Sequence, residues 1–365
     1  MELTNEQRKY LGLELIEPSW ERVEIPNNCV KPELSTGKII LYFDGDVLRK
    51  EISVDKNGRY LEESRFLKTQ DNRSMIAPIT EKGKPKRLNG VNLQRCTSKG
   101  MYFRYEGGYV TLANYSTQRT YYSSAFAGLS AMSEEDMQDF LAQWIADTDE
   151  AKLEHIHAFA NAKRQHCKFK EGDFFRFSID RTHYGYGRIL LDIYKMKKSG
   201  EKFWNVLMGR ALVVSVYHII TENPSMDTDT LKTLKSCPSQ FIMDNRFFYG
   251  EYEIVGYEPL PEDVDYPILY GPSISARDRN KIQFQRGRVY REIPLEGNTI
   301  IPGDFLNNGI GFSLKVTRNL LAACIAADSN DPYWDRGPGF HWRDLRHPQY
   351  EQEREQVLRQ MGAWP

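Results

Sequence analysis

Asp180, Arg181, His183 and Arg188 fall together in the stretch "DRTHYGYGR", interleaved with Gly185 and Gly187. A carboxylate, an imidazole and guanidinium groups beside glycines suit either a catalytic loop or a phosphate-binding one. A dinucleotide cradle, however, needs GxGxxG between a strand and a helix. Here strand-like runs stand on both sides, "KEGDFFRFSI" before and "GRILLDIYKM" after. The stretch therefore reads as a β-hairpin whose Gly185 and Gly187 relieve crowding at a turn or bulge. Asp180, Arg181, Tyr184 and Tyr186, expected exposed there, form a candidate partner-binding surface, because tyrosine and arginine carry interface hot spots.

Metal-ligand patterns are weaker. His155-Ile156-His157 has an HxH spacing, which brings two imidazoles to one side only on a strand. The surrounding periodicity is helical, where residues i and i+2 diverge by about 200°. His166-Cys167 lacks further ligands nearby in the sequence. Five cysteines, at positions 29, 96, 167, 237 and 324, form no CxxC and argue against a disulfide framework and a structural zinc site. HExxH, GxSxG and the phosphate-binding GxxxxGK[ST] do not occur. No catalytic residue, cofactor or metal ligand is assigned.

The elements that would hold these residues alternate in kind. "LTNEQRKYLGL" predicts a short helix capped at Thr4 or Asn5. From Lys38 the pattern is β: hairpins are expected at Asp44-Gly45-Asp46 and Gly107-Gly108, with a turn at Asn57-Gly58. Ser133, Glu134 and Glu135 then open a helical segment with Met137, Phe140, Leu141, Trp144 and Ile145 on one face. A break near Asp147–Asp149 divides it in two. After Phe169 the strands return. "ALVVSVYHIIT" is β-branched enough for a central strand, "FFYGEYEIVGYEPL" supplies another strand or two, and a hairpin is expected around Arg286-Gly287. "SLKVTRNLLAACIAA" and "PQYEQEREQVLRQMGAW" read as helices, and "DLRHPQYEQERE" as solvated charge. The fold class is thus α+β, with two antiparallel β-rich, barrel-like or curved-sheet units joined by helices. Residues 1–132 form the first unit, 133–166 the connector and 167–365 the second.

A chain of 365 residues, 40% apolar and 27% charged, describes a globular protein with ample core. Its formal net charge of −1 provides neither the positive field of a nucleic-acid binder nor the negative field of a nucleic-acid mimic. The clustered tyrosines between Tyr102 and Tyr122 follow from sheet propensity, and the basic run "EKGKPKRLNG" from a solvated loop. No segment approaches the roughly 18–20 apolar residues of a membrane span, and the N-terminus lacks a leader pattern. A cytoplasmic location is expected.

From about Lys168 onward the sequence resembles the immunity protein 26 family of bacterial polymorphic toxin systems. The resemblance is carried by "KEGDFFRFSI", "YGYGRIL", "VYHII", "FFYGEYEIVGYEPL" and "GRVYREI", with "NNGIGF" and Tyr333-Trp334 similar to later parts of that module. Gly172, Asp173, Phe175 and Ile179 match the strand that precedes the family's Y-G-x-G-R turn. The resemblance implies an immunity protein whose partner is a cognate toxin domain, neutralised by steric occlusion. It also implies a second reading, a metal-dependent phosphotriester hydrolase, because the family is described with that activity too. A nucleic-acid-associated binding role stands third. Binding ranks above turnover, since the residues show no constellation for activating water. The half before residue 167 is similar to N-terminal extensions of longer members, for which no role is implied.

Overall fold

Thr4 opens the chain with a reciprocal cap: its hydroxyl accepts from the Gln7 N–H, and the Gln7 side chain accepts from the Thr4 N–H. The short helix Asn5–Tyr10 that follows lies against the first of three sheets. These features come from a computed structural model that describes residues 2–26, 37–55, 57–203, 210–273, 280–296, 310–311, 313–336 and 344–363. Cys29 and most of "NNGIGF" lie outside the described residues. The chain divides into two compact units, Met1–Gln165 and His166–Pro365.

In the first unit the strands are β1 (Glu21–Pro26), β2 (Gly37–Asp44), β3 (Val47–Asp55), β4 (Tyr60–Gln70), β5 (Met75–Ile76), β6 (Lys86–Arg87), β7 (Lys99–Glu106), β8 (Tyr109–Asn114) and β9 (Arg119–Ser123). They pair in the order β1-β2-β3-β4-β7-β8-β9, with β5 and β6 branching from β4. Gly45 takes φ +58° at the β2–β3 turn, as the hairpin signal required. Residues Ile39 to Phe43 are buried throughout because both faces are covered. Ile40 and Tyr42 join a core with Phe103, Leu112 and Trp144, while Ile39, Leu41 and Phe43 meet Leu48, Leu67 and Leu93. Two helices, Glu134–Ala146 and Glu150–Ala160, are separated at Asp147–Asp149 and capped by Ser133 and Asp149. Met137, Leu141, Ile156 and Phe159 are buried in the first of those cores.

Charge is also buried in this unit. Glu62, with no side-chain exposure, accepts from Arg8 Nε at 2.8 Å, Lys50 Nζ at 2.7 Å and the Tyr60 hydroxyl at 2.7 Å. Burial pushes its carboxyl up, but Lys50 and Arg8 outweigh that and hold it below the usual range.

In the second unit β10 (Asp173–Ser178), β11 (Tyr184–Asp192), β12 (Ala211–Val216), β13 (Gln240–Met243), β14 (Glu253–Tyr257) and β18 (Ile310–Gly311) form a sheet ordered β14-β10-β11-β12-β13-β18. Its pairs are antiparallel except β13 with β18. The β-branched strand β12 is wholly buried at its centre. A second sheet, β15 (Ile268–Pro272), β16 (Lys281–Arg286) and β17 (Val289–Pro294), packs Ile268, Tyr270, Ile282 and Phe284 against Val357 and Leu358 of the helix Glu351–Gln360. The protein is therefore mixed α+β with antiparallel sheets, and among the described residues none of them closes into a barrel.

Three local expectations need correction. "IYKMKK" is a helix, Ile193–Lys198, started by Asp192, whose carboxylate accepts the N–H groups of Tyr194 and Lys195 and so ends β11. "NRFF" is likewise a helical turn (Asn245–Phe248), so only Glu253–Tyr257 of that run is strand. Asp344, expected solvated, is buried against the half-buried Arg346, which also reaches Asp265 and Ser239.

Candidate partner-binding surface

Asp180 determines the shape of the β10–β11 connection. Its Oδ1 accepts the N–H groups of Thr182 at 2.9 Å and His183 at 2.8 Å, so residues 180–183 close as an Asx-type turn. His183 Nδ1 lies 3.0 Å from the same oxygen, and Arg318 pairs with Oδ2 from the helix Arg318–Ala327. Burial pushes the Asp180 carboxyl up, but the Thr182 and His183 N–H groups and the His183 ring prevail and hold it below its ordinary value. This carboxylate is committed to internal partners: it positions the turn and draws Arg318 to it.

Gly185 and Gly187 lie in strand β11 and neither has a positive φ, so the turn-or-bulge expectation is corrected. Across the strand pair, Gly185 faces Phe177 and Gly187 faces Phe175. A Cβ at 185 would stand 2.3 Å from the Phe177 ring, and one at 187 would stand 2.4 Å from the Phe175 ring and 2.3 Å from the Ser215 carbonyl. The glycines let two aromatic rings lie over the backbone, a way of covering strand glycines that adds packing where a side chain is missing. Phe175 continues this layer to Phe247 and Tyr252.

The tyrosines of the motif, two residues apart, share one face of β11 and differ in how deeply they are buried. Tyr186, expected exposed, has no exposed surface; it packs with Phe174, Tyr217 and Leu231 and donates its hydroxyl proton to the Asn223 carbonyl at 2.8 Å. Tyr184 is half-buried, tied by its backbone to Thr221 and covered by the Arg176 guanidinium 4.9 Å from its ring centre. Arg176 also pairs with Glu253 at the start of β14. Arg181 is half-buried at the turn itself. Of the four expected contact residues, Arg181 and Tyr184 therefore have side chains that reach the surface, whereas Asp180 acts within the turn and Tyr186 within the core.

Beside them runs β14, at one end of the six-stranded order and paired only through β10 among the described residues. Ile254 is 37% exposed and Tyr257 47%, with Lys170 Nζ 3.3 Å from the Tyr257 ring centre. An edge strand with exposed apolar side chains offers unpaired backbone groups and side-chain contacts together. Sequence reading marked this strand but could not place it at an edge, because strand order depends on pairings distant in the chain.

One cluster has the donor chemistry of a cation site. Among the described residues, the ligand atoms of His218, Cys237 and Cys324 all lie within 4.8 Å of one another. The hydrogen bond between the two thiols, followed by burial, pushes Cys237 up; the same bond draws Cys324 down to about 7. No spacing signal in the sequence groups these three. His155 and His157, by contrast, lie on a helix as expected, and His155 Nδ1 contacts the Tyr121 hydroxyl at 3.3 Å.

Residues 170–280 match the model of the Immunity protein 26 family. No curated protein matches the chain, and neither does any solved structure. The Immunity protein 26 segment runs from just before β10 to the start of β16, so it contains the Asp180 turn, both ring-covered glycines, the edge strand β14, His218 and Cys237. Arg318 and Cys324, which reach into that segment from the helix Arg318–Ala327, lie outside the match. Among the described residues no helix is long and apolar enough to cross a membrane.

Proposed function

We propose that the protein is an immunity protein that binds a cognate toxin domain of a bacterial polymorphic toxin system in the producing cell and neutralises it by covering its working surface. The observation that carries this reading is the match of residues 170–280 to an immunity-protein family. The contact surface we propose consists of the Asp180 turn, through Arg181 and Tyr184, and the outer edge of β14, through Ile254 and Tyr257. Backbone pairing along β14 would supply affinity and the flanking side chains selectivity. About 800 Å² per partner suffices for a stable complex. With a net charge of −1, the protein is a poor electrostatic mimic of nucleic acid, which favours shape and strand pairing as the means of blocking.

The test begins with the open reading frame beside the gene. Its toxin domain is co-expressed with the full-length protein, and growth and complex formation are measured. Rescue of growth together with a stable stoichiometric complex is the expected result. A neighbouring toxin that remains lethal and forms no complex would sink the proposal.

A further inference from the structure

His218 and Cys237 lie on two segments that the β12–β13 region brings side by side. Tyr217 bridges Ser236, the His218 N–H donates to the Lys235 carbonyl at 2.8 Å, and the Cys237 N–H donates to the Val216 carbonyl at 2.8 Å. Cys324 arrives from the buried side of the helix Arg318–Ala327, next to Leu321. Both cysteines are almost without exposure, at 1% and 0%.

Asn330 decides which imidazole nitrogen faces them. Its amide group donates to the Ser236 carbonyl at 3.0 Å, and a carbonyl can only accept. The other end of the side chain is therefore the oxygen, and it stands 3.0 Å from His218 Nε2. An oxygen acceptor there places the proton on Nε2 and leaves Nδ1 with a free lone pair. That Nδ1 is shut off from solvent and has no hydrogen-bond partner among the described residues. An unpaired buried acceptor is costly, and here it belongs to a group whose ligand atoms lie within 4.8 Å of one another. A metal-binding histidine oriented by a side-chain carbonyl on its other nitrogen is the usual outer support of such a site.

We propose that His218 Nδ1, Cys237 Sγ and Cys324 Sγ bind a thiophilic divalent cation, with Zn²⁺ the best match to two thiolates and one imidazole. Sulfur and nitrogen ligands at about 2.3 Å and 2.0 Å from a tetrahedral ion stand about 3.5–3.8 Å apart, so the observed spacing needs only small side-chain rotations. Two thiolates cancel the charge of the ion, which suits a buried location. Any proton still on a thiol leaves to solvent on binding. The ion would staple the helix Arg318–Ala327, outside the Immunity protein 26 match, to the paired segments that follow β12 and precede β13 within it. This inference is independent of the toxin-binding proposal, because a staple would act on the fold whatever the surface binds.

The test uses full-length protein, purified without a metal-affinity tag, reduced, stripped with chelator and titrated with Co²⁺ alone. One equivalent per chain should bind with thiolate-to-metal charge-transfer absorption, and Zn²⁺ should displace it one for one and raise the melting temperature. Cys324→Ser and His218→Ala should weaken Co²⁺ binding by about 100-fold or more. Asn330→Ala, which leaves all three ligands in place, should weaken it about 10- to 100-fold. Asn330→Ala also serves where a ligand variant fails to fold. Cys167→Ser should leave stoichiometry and absorption unchanged. Absence of charge-transfer absorption from the reduced parent overturns the site, as does an absorption band that survives in folded Cys324→Ser. A Cys237–Cys324 disulfide in the isolated protein, with no cation taken up after reduction, overturns it equally.

Discussion

At Gly185 and Gly187 the decisive quantity is the distance to the neighbouring aromatic ring, since neither φ is positive. Valine at 185 would push against the end of the Phe177 ring, a packed side chain that can yield more than backbone can. At 187 it would meet the Ser215 carbonyl as well, and backbone cannot retreat. Gly185→Val should therefore cost about 1–3 kcal/mol of stability and Gly187→Val more, read from denaturant midpoints. Equal effects would show that the rings do not pack as described. Lys315 provides the pH test. Burial pushes its ammonium down to about 8, reinforced by Arg336 and Arg346 and opposed by Asp344. The unfolded chain keeps that proton to about pH 10.4, so between about 8 and 10 the folded state binds fewer protons and stability should rise with pH. Lys315→Met should be more stable than the parent at neutral pH and lose that rise. A parent and variant with parallel pH profiles would contradict the buried ammonium. The glycines and the hairpin were visible in sequence; the reason for the glycines was not, because Phe175 and Phe177 reach them across strands.

Among elements, β14 illustrates both what sequence reveals and what it leaves hidden. Apolar and β-branched residues in "EYEIVGY" marked a strand, and Gly45, Gly107-Gly108 and Gly287 marked hairpin turns that take positive φ. The capped helices from Ser133 were equally legible, because caps and periodicity act within a few residues. The helices Ile193–Lys198 and Asn245–Phe248 are too short to show a helical period, and a capping carboxylate at Asp192 was the signal overlooked. The covering of Asp344 and Arg346 depends on Asp265 and Ser239, far away in the chain. Strand position in a sheet is of the same kind. If the edge of β14 docks the toxin, Ile254→Lys should leave the melting temperature nearly unchanged while weakening toxin binding tenfold or more. Arg181→Ala should behave alike. Tyr184→Ala should also cost about 1 kcal/mol of stability, since its ring supports Arg176. Unchanged toxin affinity in all three variants would move the interface elsewhere.

At the scale of the molecule, the division at Gln165–His166 gives each unit its own buried core. The family match lies wholly in the second unit, so the proposed toxin binding and first-unit stability should be separable. Glu62 offers the sharpest way to separate them. It is buried between Arg8, Lys50 and Tyr60, and neutralising it leaves two cations without their counter-charge. Breaking a buried pair by removing one partner costs about 3–5 kcal/mol, far more than an exposed pair. Glu62→Gln should therefore lower the melting transition of the first unit and promote proteolysis before residue 165. A fragment beginning near residue 165 should survive that digestion and bind the toxin with the affinity of the full chain. Calorimetry would show two transitions in the parent, with only one displaced in the variant. A single transition that moves as a whole, or a surviving fragment unable to bind, would mean that the two units fold and act as one.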